Sequence, residues 1–306
     1  MPQALLDKYR LSDYPYRINW EITTRCNFNC NYCINPDVNT GNLEPVYSPA
    51  KIRQIFDNTG KSWLIMITGG EPFVYPDFIE VCKALSQNHY LQITTNLSSS
   101  GIYRFGEEID PSRIFTISAS MHLPERLRNN RIDDFFKKLD YLQSKNFPVL
   151  VNYIAHPDVL HRMDADFIDF KKRGICAFAL LLRGIVNGKQ YPDAYSDEEM
   201  EMILKYVLDK KVETKAAHGH LDFYGHYCNA GDTYLYADCF GNIKPCATLS
   251  KNLGNIFTQG IPMNGKPMPC YVHNCNDVYC GIAALTNKKA CSIWMKWLRI
   301  RENSAQ

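Results

Sequence analysis

Three cysteines crowd the stretch RCNFNCNYCIN: Cys26, Cys30 and Cys33, with three and then two residues between them. Thiols at such spacing can bind zinc, form a disulfide, act as a redox pair or hold an iron–sulfur cluster. A structural zinc site wants four tetrahedral ligands, commonly as two pairs. No fourth cysteine or histidine lies within thirty residues, the next being Cys82 and His89. A disulfide would leave one thiol over. A 4Fe-4S cube held by three thiolates leaves one iron open to a further ligand. The loop by itself reads as metal-binding, with iron and zinc both open.

A second concentration lies far along the chain. Seven of the twelve cysteines fall between Cys228 and Cys291, and only Cys82 and Cys176 lie between the two groups, in apolar stretches that suit plain buried thiols. No long apolar core marks the opening MPQALLDKYRLSDY as a secretory signal. The expectation is therefore a cytoplasmic, reducing setting, where clustered cysteines bind metal or do chemistry more often than they form disulfides. With 306 residues, 45% hydrophobic, 22% charged and a net charge of +2, the chain reads as globular, with no basic field for nucleic acid. Its most apolar run, Ile175–Leu182, is too short to span a bilayer and reads as a buried strand.

The elements that must position these cysteines alternate. Strands are expected over 18–23, 63–68, 91–95, 114–118, 149–155 and 175–182. Helices are expected from Ser48-Pro49 to about Asp57, over 77–86, over 131–145 and from the capping box at Ser196 to about Lys210. Six strands alternating with helices imply a parallel sheet with right-handed crossovers, either open and doubly wound or a partial barrel. Ligands gather at the C-terminal strand ends in both. The cysteine loop, Gly69-Gly70, Asn96 and Ser118/Ser120 all fall at such ends.

C-x3-C-x2-C after the first strand and Gly69-Gly70-Glu71-Pro72 after the second together resemble the radical S-adenosylmethionine (radical SAM) superfamily, in order of elements over roughly residues 18–210. Tyr32, directly before the last cysteine, matches the aromatic that the family places beside the adenine. The resemblance implies an α/β fold, a partial (β/α)6 TIM-like barrel. It implies that Cys26, Cys30 and Cys33 hold a 4Fe-4S cluster whose open iron chelates SAM, and that Gly69, Gly70 and Glu71, with Pro72, line the methionine amino group. Reductive cleavage would then release a 5′-deoxyadenosyl radical that takes a hydrogen atom from substrate. Thr95 and Asn96 fit the polar residues near the ribose, and Ser118 and Ser120 those at the next strand end. Arg131 could pair with the SAM carboxylate, or be a solvated helix-start residue.

From about residue 213 the texture changes. A hairpin signal, 234–237 and 242–244 around Cys239-Phe240-Gly241, is followed by frequent Cys, Gly and Pro, and an amphipathic helix is expected near 292–301. Cys228, then Gly241, then Cys246 in GNIKPC resembles the start of a SPASM/twitch extension, with LGNIF (253–257) also fitting. The C-x2-C-x5-C-x3-C run of a full SPASM domain is absent, which favours the shorter twitch form with one auxiliary 4Fe-4S cluster. The expected division is a core over 1–212 and a small twitch/SPASM-like domain over 213–306. Its expected ligands are Cys228, Cys246, Cys270 and Cys275, with Cys280 as the alternative to Cys275, and Cys239 and Cys291 spare. A structural zinc site is the alternative for this tail. His218, His220 and His226 read as a polar loop, and Arg183 as an anion contact or a solvent-facing residue.

The resemblance further implies a small-molecule substrate and a one-electron donor such as flavodoxin or ferredoxin, with no nucleic acid and no membrane as partners. About seventeen residues precede the first strand, which weakens a peptide-modifying role, and the end Asn303-Ser304-Ala305-Gln306 lacks the Gly-Gly tail of the molybdopterin-precursor cyclases. The expected reaction is hydrogen abstraction from a sugar, aminosugar or nucleoside leading to oxidation. A radical epimerase with a cysteine hydrogen donor and a peptide maturase are alternatives, and a non-catalytic zinc-binding protein is the alternative of another class.

Overall fold

The computed structural model describes residues 14–35, 37–39 and 44–275. Six parallel strands run in sequence order across one sheet: β1 (Tyr16–Thr23), β2 (Trp63–Gly69), β3 (Tyr90–Thr95), β4 (Ile114–Ser120), β5 (Val149–Ile154) and β6 (Ala177–Leu180). Each pairs in parallel with the next. The crossovers carry α1 (Pro49–Asp57), α2 (Phe78–Leu85), α3 (Gly101–Glu108), α4 (Leu123–Arg128) with α5 (Ile132–Ser144), and α6 (Met163–Lys172). The strand order never reverses, so this is the singly wound partial barrel, not a doubly wound sheet with a switch point.

Alternation along the strands separates two faces. Ile18, Trp20, Ile22, Ile65, Ile67, Ile93, Ile117 and Val151 join the larger core, with the apolar stripes of the helices. Leu64, Met66, Phe115, Leu150 and Phe178 point the other way and form a smaller core on the concave face. Helix starts follow the expected chemistry. Ser48 accepts from the Lys51 N–H ahead of Pro49, and Ser196 with Glu199 completes a capping box at α7 (Asp197–Leu204).

Two expected elements are shorter than the sequence suggests. The sixth strand stops at Leu180 because the Leu181 and Leu182 N–H groups donate to side chains, Glu213 at 2.9 Å and Tyr195 at 3.0 Å. The helix from Ser196 ends at Leu204, not Lys210. The Tyr206 carbonyl accepts from Ala179 N at 2.9 Å, drawing the chain onto the free edge of β6, and a separate helix, α8 (Lys210–Ala217), restarts on an Asp209 cap. Helices α3 and α6 go beyond the sequence expectation. So does the small hairpin of β7 (Gly184–Val186) and β8 (Lys189–Tyr191), whose Asn187-Gly188 turn has both φ angles positive, 53° and 74°.

Beyond α8 come β9 (Tyr227–Cys228), β10 (Tyr234–Ala237), β11 (Asn242–Lys244), β12 (Gly254–Asn255) and β13 (Met268–Pro269). The expected hairpin is present as β10–β11, and β10 pairs in parallel with β1, so the sheet continues as β12-β11-β10-β1 into the barrel wall. The 212/213 division falls inside α8. The helix expected near 292–301, and with it Cys280 and Cys291, lies outside the described residues. Among the described residues no helix is long and apolar enough to cross a membrane.

Candidate functional site

The loop after β1 is clamped to the strand end that carries it. Thr23 Oγ1 donates to Glu44 Oε1 at 2.8 Å, and Arg25 reaches the same oxygen through Nε and Nη2 at 2.9 and 2.6 Å. Burial alone would push the Glu44 carboxyl up, but its hydrogen bonds, from its own backbone, Thr23 and Arg25, hold it below the ordinary carboxylate value. Asn39 closes the loop from its far side. Its Oδ1 accepts from Cys26 N at 2.9 Å, and its Nδ2 donates to the Cys26 carbonyl at 3.1 Å.

Gly69 and Gly70 bring the β2 turn against this loop. Gly70 N donates to the Thr23 carbonyl at 2.7 Å, and Glu71 N to the Arg25 carbonyl at 2.8 Å. A Cβ at Gly69 would collide with Thr23 O, and one at Gly70 with Arg25 O. The absence of side chains therefore serves a close approach of two protein backbones. Glu71 is 1% exposed. Its Oε1 accepts from Phe73 N at 3.1 Å and Thr95 Oγ1 at 2.7 Å, and its Oε2 from Asn96 N at 2.6 Å. Burial raises its pKa against these donors. The carboxyl thus staples the β2 turn to the end of β3. Pro72 is buried beside it and opens a single 3-10 turn.

Asn96 extends the chain of contacts back to the cysteines. Its Nδ2 donates to Asn27 Oδ1 at 2.9 Å and stands 4.0 Å from Cys26 Sγ. Phe28 N lies 3.4 Å from the same sulfur. Cys26, Cys30 and Cys33 are near enough to influence one another's charge. Cys33 is exposed and the other two are half-buried. Burial raises the Cys26 thiol and pushes Cys30 up to about 12, so binding a metal here would have to displace their protons. Among the described residues, no three His, Cys, Asp or Glu side chains converge closely enough to hold a single metal ion.

Tyr32 turns inward, 7% exposed, with its hydroxyl 3.3 Å from His122 Nδ1 and its ring centroid 5.0 Å from that of His156. These two histidines follow β4 and β5, and sequence reasoning missed them. Their position at strand ends is the signal that could have found them. Burial holds both imidazoles neutral, His122 down to about 4, with the Arg126 charge adding to the effect. Arg126, also missed, is 0% exposed. It donates to the carbonyls of Met121, Arg131 and Asn96, and its guanidinium lies over Phe135 at 4.4 Å and Phe28 at 5.3 Å. It ties the ends of β3 and β4 beneath the cysteine loop.

The remaining expected residues are dispersed. Ser118 Oγ accepts from Asn152 Nδ2 at 2.7 Å on the concave face, and Ser120 ends β4 two residues further on. Arg131 is exposed at the N-cap of α5. His218 pairs with Asp193 at 2.9 Å, and Arg183 stands 3.8 Å from buried Glu213. Cys239 is 4% exposed, just past β10, and burial, then Asp238, pushes its thiol up to about 11.

The second group of cysteines is gathered by different means. Cys228, Cys246, Cys270 and Cys275 line one cavity together with Phe223, Ala230, Tyr234, Leu249, Met268, Pro269 and Val272. The pairing of β9 with β13 sets Met268 opposite Cys228, the Cys270 N–H donates to the His226 carbonyl at 2.9 Å, and Cys275 N to the Leu221 carbonyl at 2.9 Å. Four thiols in an apolar wall suit a fully ligated cluster, whereas three thiols on a polar loop suit one with an open position.

Comparison with known proteins agrees with this geometry. Residues 20–170 match the family profile described as the Radical SAM superfamily. The chain is 22% identical over 292 residues to the AdoMet-dependent heme synthase of Methanosarcina barkeri (strain Fusaro / DSM 804), covering 81% of each chain. It is 26% identical over 219 residues to the GTP 3′,8-cyclase of Haemophilus ducreyi (strain 35000HP / ATCC 700724), covering 69% of this chain and 54% of the cyclase, so it spans about half the length of that relative. Among solved structures, Streptococcus suis SuiB bound to S-adenosylmethionine superposes with a TM-score of 0.58 at 16% identity, over 83% of this chain and 66% of SuiB. Native anSMEcpe with bound AdoMet superposes with a TM-score of 0.57 at 12% identity, over 95% of this chain and 99% of that one.

Proposed function

Because this chain belongs to the radical SAM superfamily, a family that uses SAM and a 4Fe-4S cluster, we propose that Cys26, Cys30 and Cys33 hold that cluster and that the adjoining strand ends hold SAM. One observation carries the reading: a half-exposed three-thiol loop is locked by backbone hydrogen bonds to the Gly69-Gly70-Glu71-Pro72 turn, and Glu71 in turn to Thr95 and Asn96. When bound, the cluster supplies the electron that cleaves SAM to the 5′-deoxyadenosyl radical, the species that takes a hydrogen atom from substrate.

The chain's own residues orient and enclose. Tyr32 offers an inward-facing ring for the adenine. The Gly69-Gly70 backbone and Pro72 form the edge that meets the methionine amino group, held rigid by buried Glu71. Thr95 and Asn96, with Ser118 and Ser120 on the next strand, supply polar contacts along the nucleoside. Rigidity matters because the reacting hydrogen must be presented within contact distance, and a loose site would lose the radical to solvent or oxygen.

Cys228, Cys246, Cys270 and Cys275 are proposed to hold an auxiliary 4Fe-4S cluster, supported by their sharing one apolar cavity. The substrate is proposed to be a small polar molecule (a sugar, aminosugar or nucleoside) that undergoes oxidation, losing a hydrogen atom to the radical and then a proton and an electron; the four-thiol cavity would hold a cluster able to accept that electron. Flavodoxin or ferredoxin is the proposed one-electron donor. A radical epimerase is the second reading, favoured by one feature: buried Cys239 lies past β10, the parallel neighbour of β1, hence at the same end of the sheet as the cysteine loop.

Anaerobic reconstitution tests the core of this. Iron and sulfide should be incorporated, and dithionite with SAM should yield 5′-deoxyadenosine. Zinc without iron, or iron without SAM cleavage, would sink the reading. Once a substrate is in hand, turnover in deuterium oxide separates the two reactions. Carbon-bound deuterium without net oxidation marks an epimerase, and a net loss of two electrons marks a dehydrogenase.

A further inference from the structure

Asn96 directly follows β3, where the motif resemblance places a nucleoside contact, yet its side chain turns toward the cysteine loop. It is 4% exposed. Its backbone is held on both sides. The N–H donates to Glu71 Oε2 at 2.6 Å, and the carbonyl accepts from Arg126 Nη2. The chain then leaves the strand through Leu97 at φ 53°, a left-handed conformation that a branched side chain keeps only where its surroundings enforce it.

Asn96, Asn27 and Ser98 form a closed ring of hydrogen bonds. Asn96 Nδ2 donates to Asn27 Oδ1 at 2.9 Å, Asn27 Nδ2 to Ser98 Oγ at 2.7 Å, and Ser98 N to Asn96 Oδ1 at 2.9 Å. Ser98 is itself tied to α5, its carbonyl accepting from buried Lys138 Nζ at 2.9 Å. The ring fixes which way the Asn96 amide points. Turned over, it would set oxygen against Asn27 Oδ1 and its N–H groups against Ser98 N–H. One N–H of Asn96 is taken by Asn27. The same nitrogen stands 4.0 Å from Cys26 Sγ, which leaves the second N–H for the sulfur. For a nucleoside the amide keeps one lone pair of Oδ1.

Cys26 therefore meets two N–H donors, Asn96 Nδ2 and, at 3.4 Å, Phe28 N. Both favour the thiolate over the thiol, against burial and against the nearby Glu71 carboxyl. Of the two, only the Asn96 donor belongs to a side chain, and it comes from seventy residues away in the sequence. A donor on a thiolate ligand stabilises the more negative state of the metal centre that the thiolate serves. It therefore makes reduction easier.

We propose that Asn96 is a positioning residue for the electron step, holding an amide N–H toward Cys26 Sγ so that the cluster proposed there accepts its electron more readily. Asn27 and Ser98 keep the amide aimed. This rests on the radical SAM reading, since it needs a cluster on Cys26, Cys30 and Cys33. It gives the end of β3 a redox role beside its contact with SAM.

The test is a redox titration, without oxygen, of the reconstituted full chain, followed by electron paramagnetic resonance. The reduced signal that added SAM perturbs reports the cluster with an open iron, which separates it from an auxiliary signal. Asn96→Leu keeps the volume of the side chain and removes both N–H groups. At a fixed potential its reduced-to-oxidised ratio should fall about fivefold to tenfold, tenfold being about 59 mV for a one-electron couple. Ser98→Ala removes one link of the ring and leaves the donor, so its shift should have the same sign and be smaller, about threefold. Melting curves and iron content show which variants are folded and loaded. The proposal falls if loaded Asn96→Leu titrates within about twofold of the wild type, or if its potential rises. Should Asn96→Leu take up no first-site iron, Ser98→Ala decides: an unshifted potential, or loss of iron there too, makes the ring purely structural and overturns the proposal. A wild type with no SAM-perturbed signal would sink the radical SAM reading and the proposal with it, whereas an unmoved potential leaves that reading standing.

Discussion

The two cysteine regions are built on opposite principles. Around Cys26, Cys30 and Cys33 the scaffold is polar and wired into the sheet. Glu44, Asn39, Glu71 and Asn96 each make at least two hydrogen bonds that hold one backbone segment against another. Around Cys228, Cys246, Cys270 and Cys275 the wall is apolar, and the chain is carried by strands two to four residues long. A polar, half-open loop can leave an iron available and feed it a charged cosubstrate. A dry enclosure favours complete ligation and electron transfer. Cysteine count alone does not separate these uses; the chemistry of the surroundings does.

The comparison is broken most completely by removing a proposed ligand from the polar loop. Cys30→Ala should abolish 5′-deoxyadenosine formation, a loss of at least ~100-fold, because two protein ligands cannot fix the cube so that SAM chelates it. Chromatographic assay after dithionite reduction reads this directly, and normal cleavage would overturn the assignment. Next in size is Gly70→Ala. The added methyl must displace the Arg25 carbonyl, a backbone atom, so the loop and the β2 turn should separate. A destabilisation of about 2–4 kcal/mol with loss of first-site iron is expected, measured by urea unfolding and metal analysis. Wild-type stability would show that the contact yields freely.

Cys246→Ala sharpens the contrast from the other side. It removes a buried thiol from the apolar cavity. Iron should fall from about eight to about four per chain, one cube lost of two. SAM cleavage should persist within about threefold. Equal loss at both sites, seen by electron paramagnetic resonance, would mean the regions are coupled.

Much of the first site was legible because motif residues sit at strand ends and alternation locates those ends. RCNFNCNYCIN, GGEP and TTN each follow a run of buried alternating or continuous apolar residues, so their convergence follows from a parallel sheet. What was not legible was set by distant partners. Glu71 reads in sequence as a group awaiting an ammonium, yet it is occupied by Thr95, Asn96 and Phe73. The glycines read as room for a ligand, yet they admit Thr23 and Arg25. Arg126, buried without a carboxylate at hydrogen-bond distance, resembles any helical arginine until its three carbonyl partners are seen. In the tail, four-residue spacings pointed to cysteines acting together, and four of them line one cavity, but nothing local announced that β10 would extend the main sheet at β1.

The last expected effect appears only as pH falls and concerns the pH dependence of stability. His122 is held down to about 4 by burial and by Arg126, against about 6.5 in an unfolded chain. Below pH 6.5 the unfolded chain therefore binds a proton that the folded site refuses. Stability from this group is complete above pH 6.5 and drains away as pH falls toward 4, about 2 kcal/mol being lost by pH 5. His156, lowered by the same burial, adds in the same direction. His122→Gln keeps a polar group near the Tyr32 hydroxyl but removes the titration, so urea unfolding at pH 7 and pH 5 should show a smaller difference for the variant, by about 2 kcal/mol. An unchanged difference would mean that His122 is protonated in place, and the neutral, desolvated surroundings assigned to Tyr32 would have to be abandoned in favour of a solvated, charged edge.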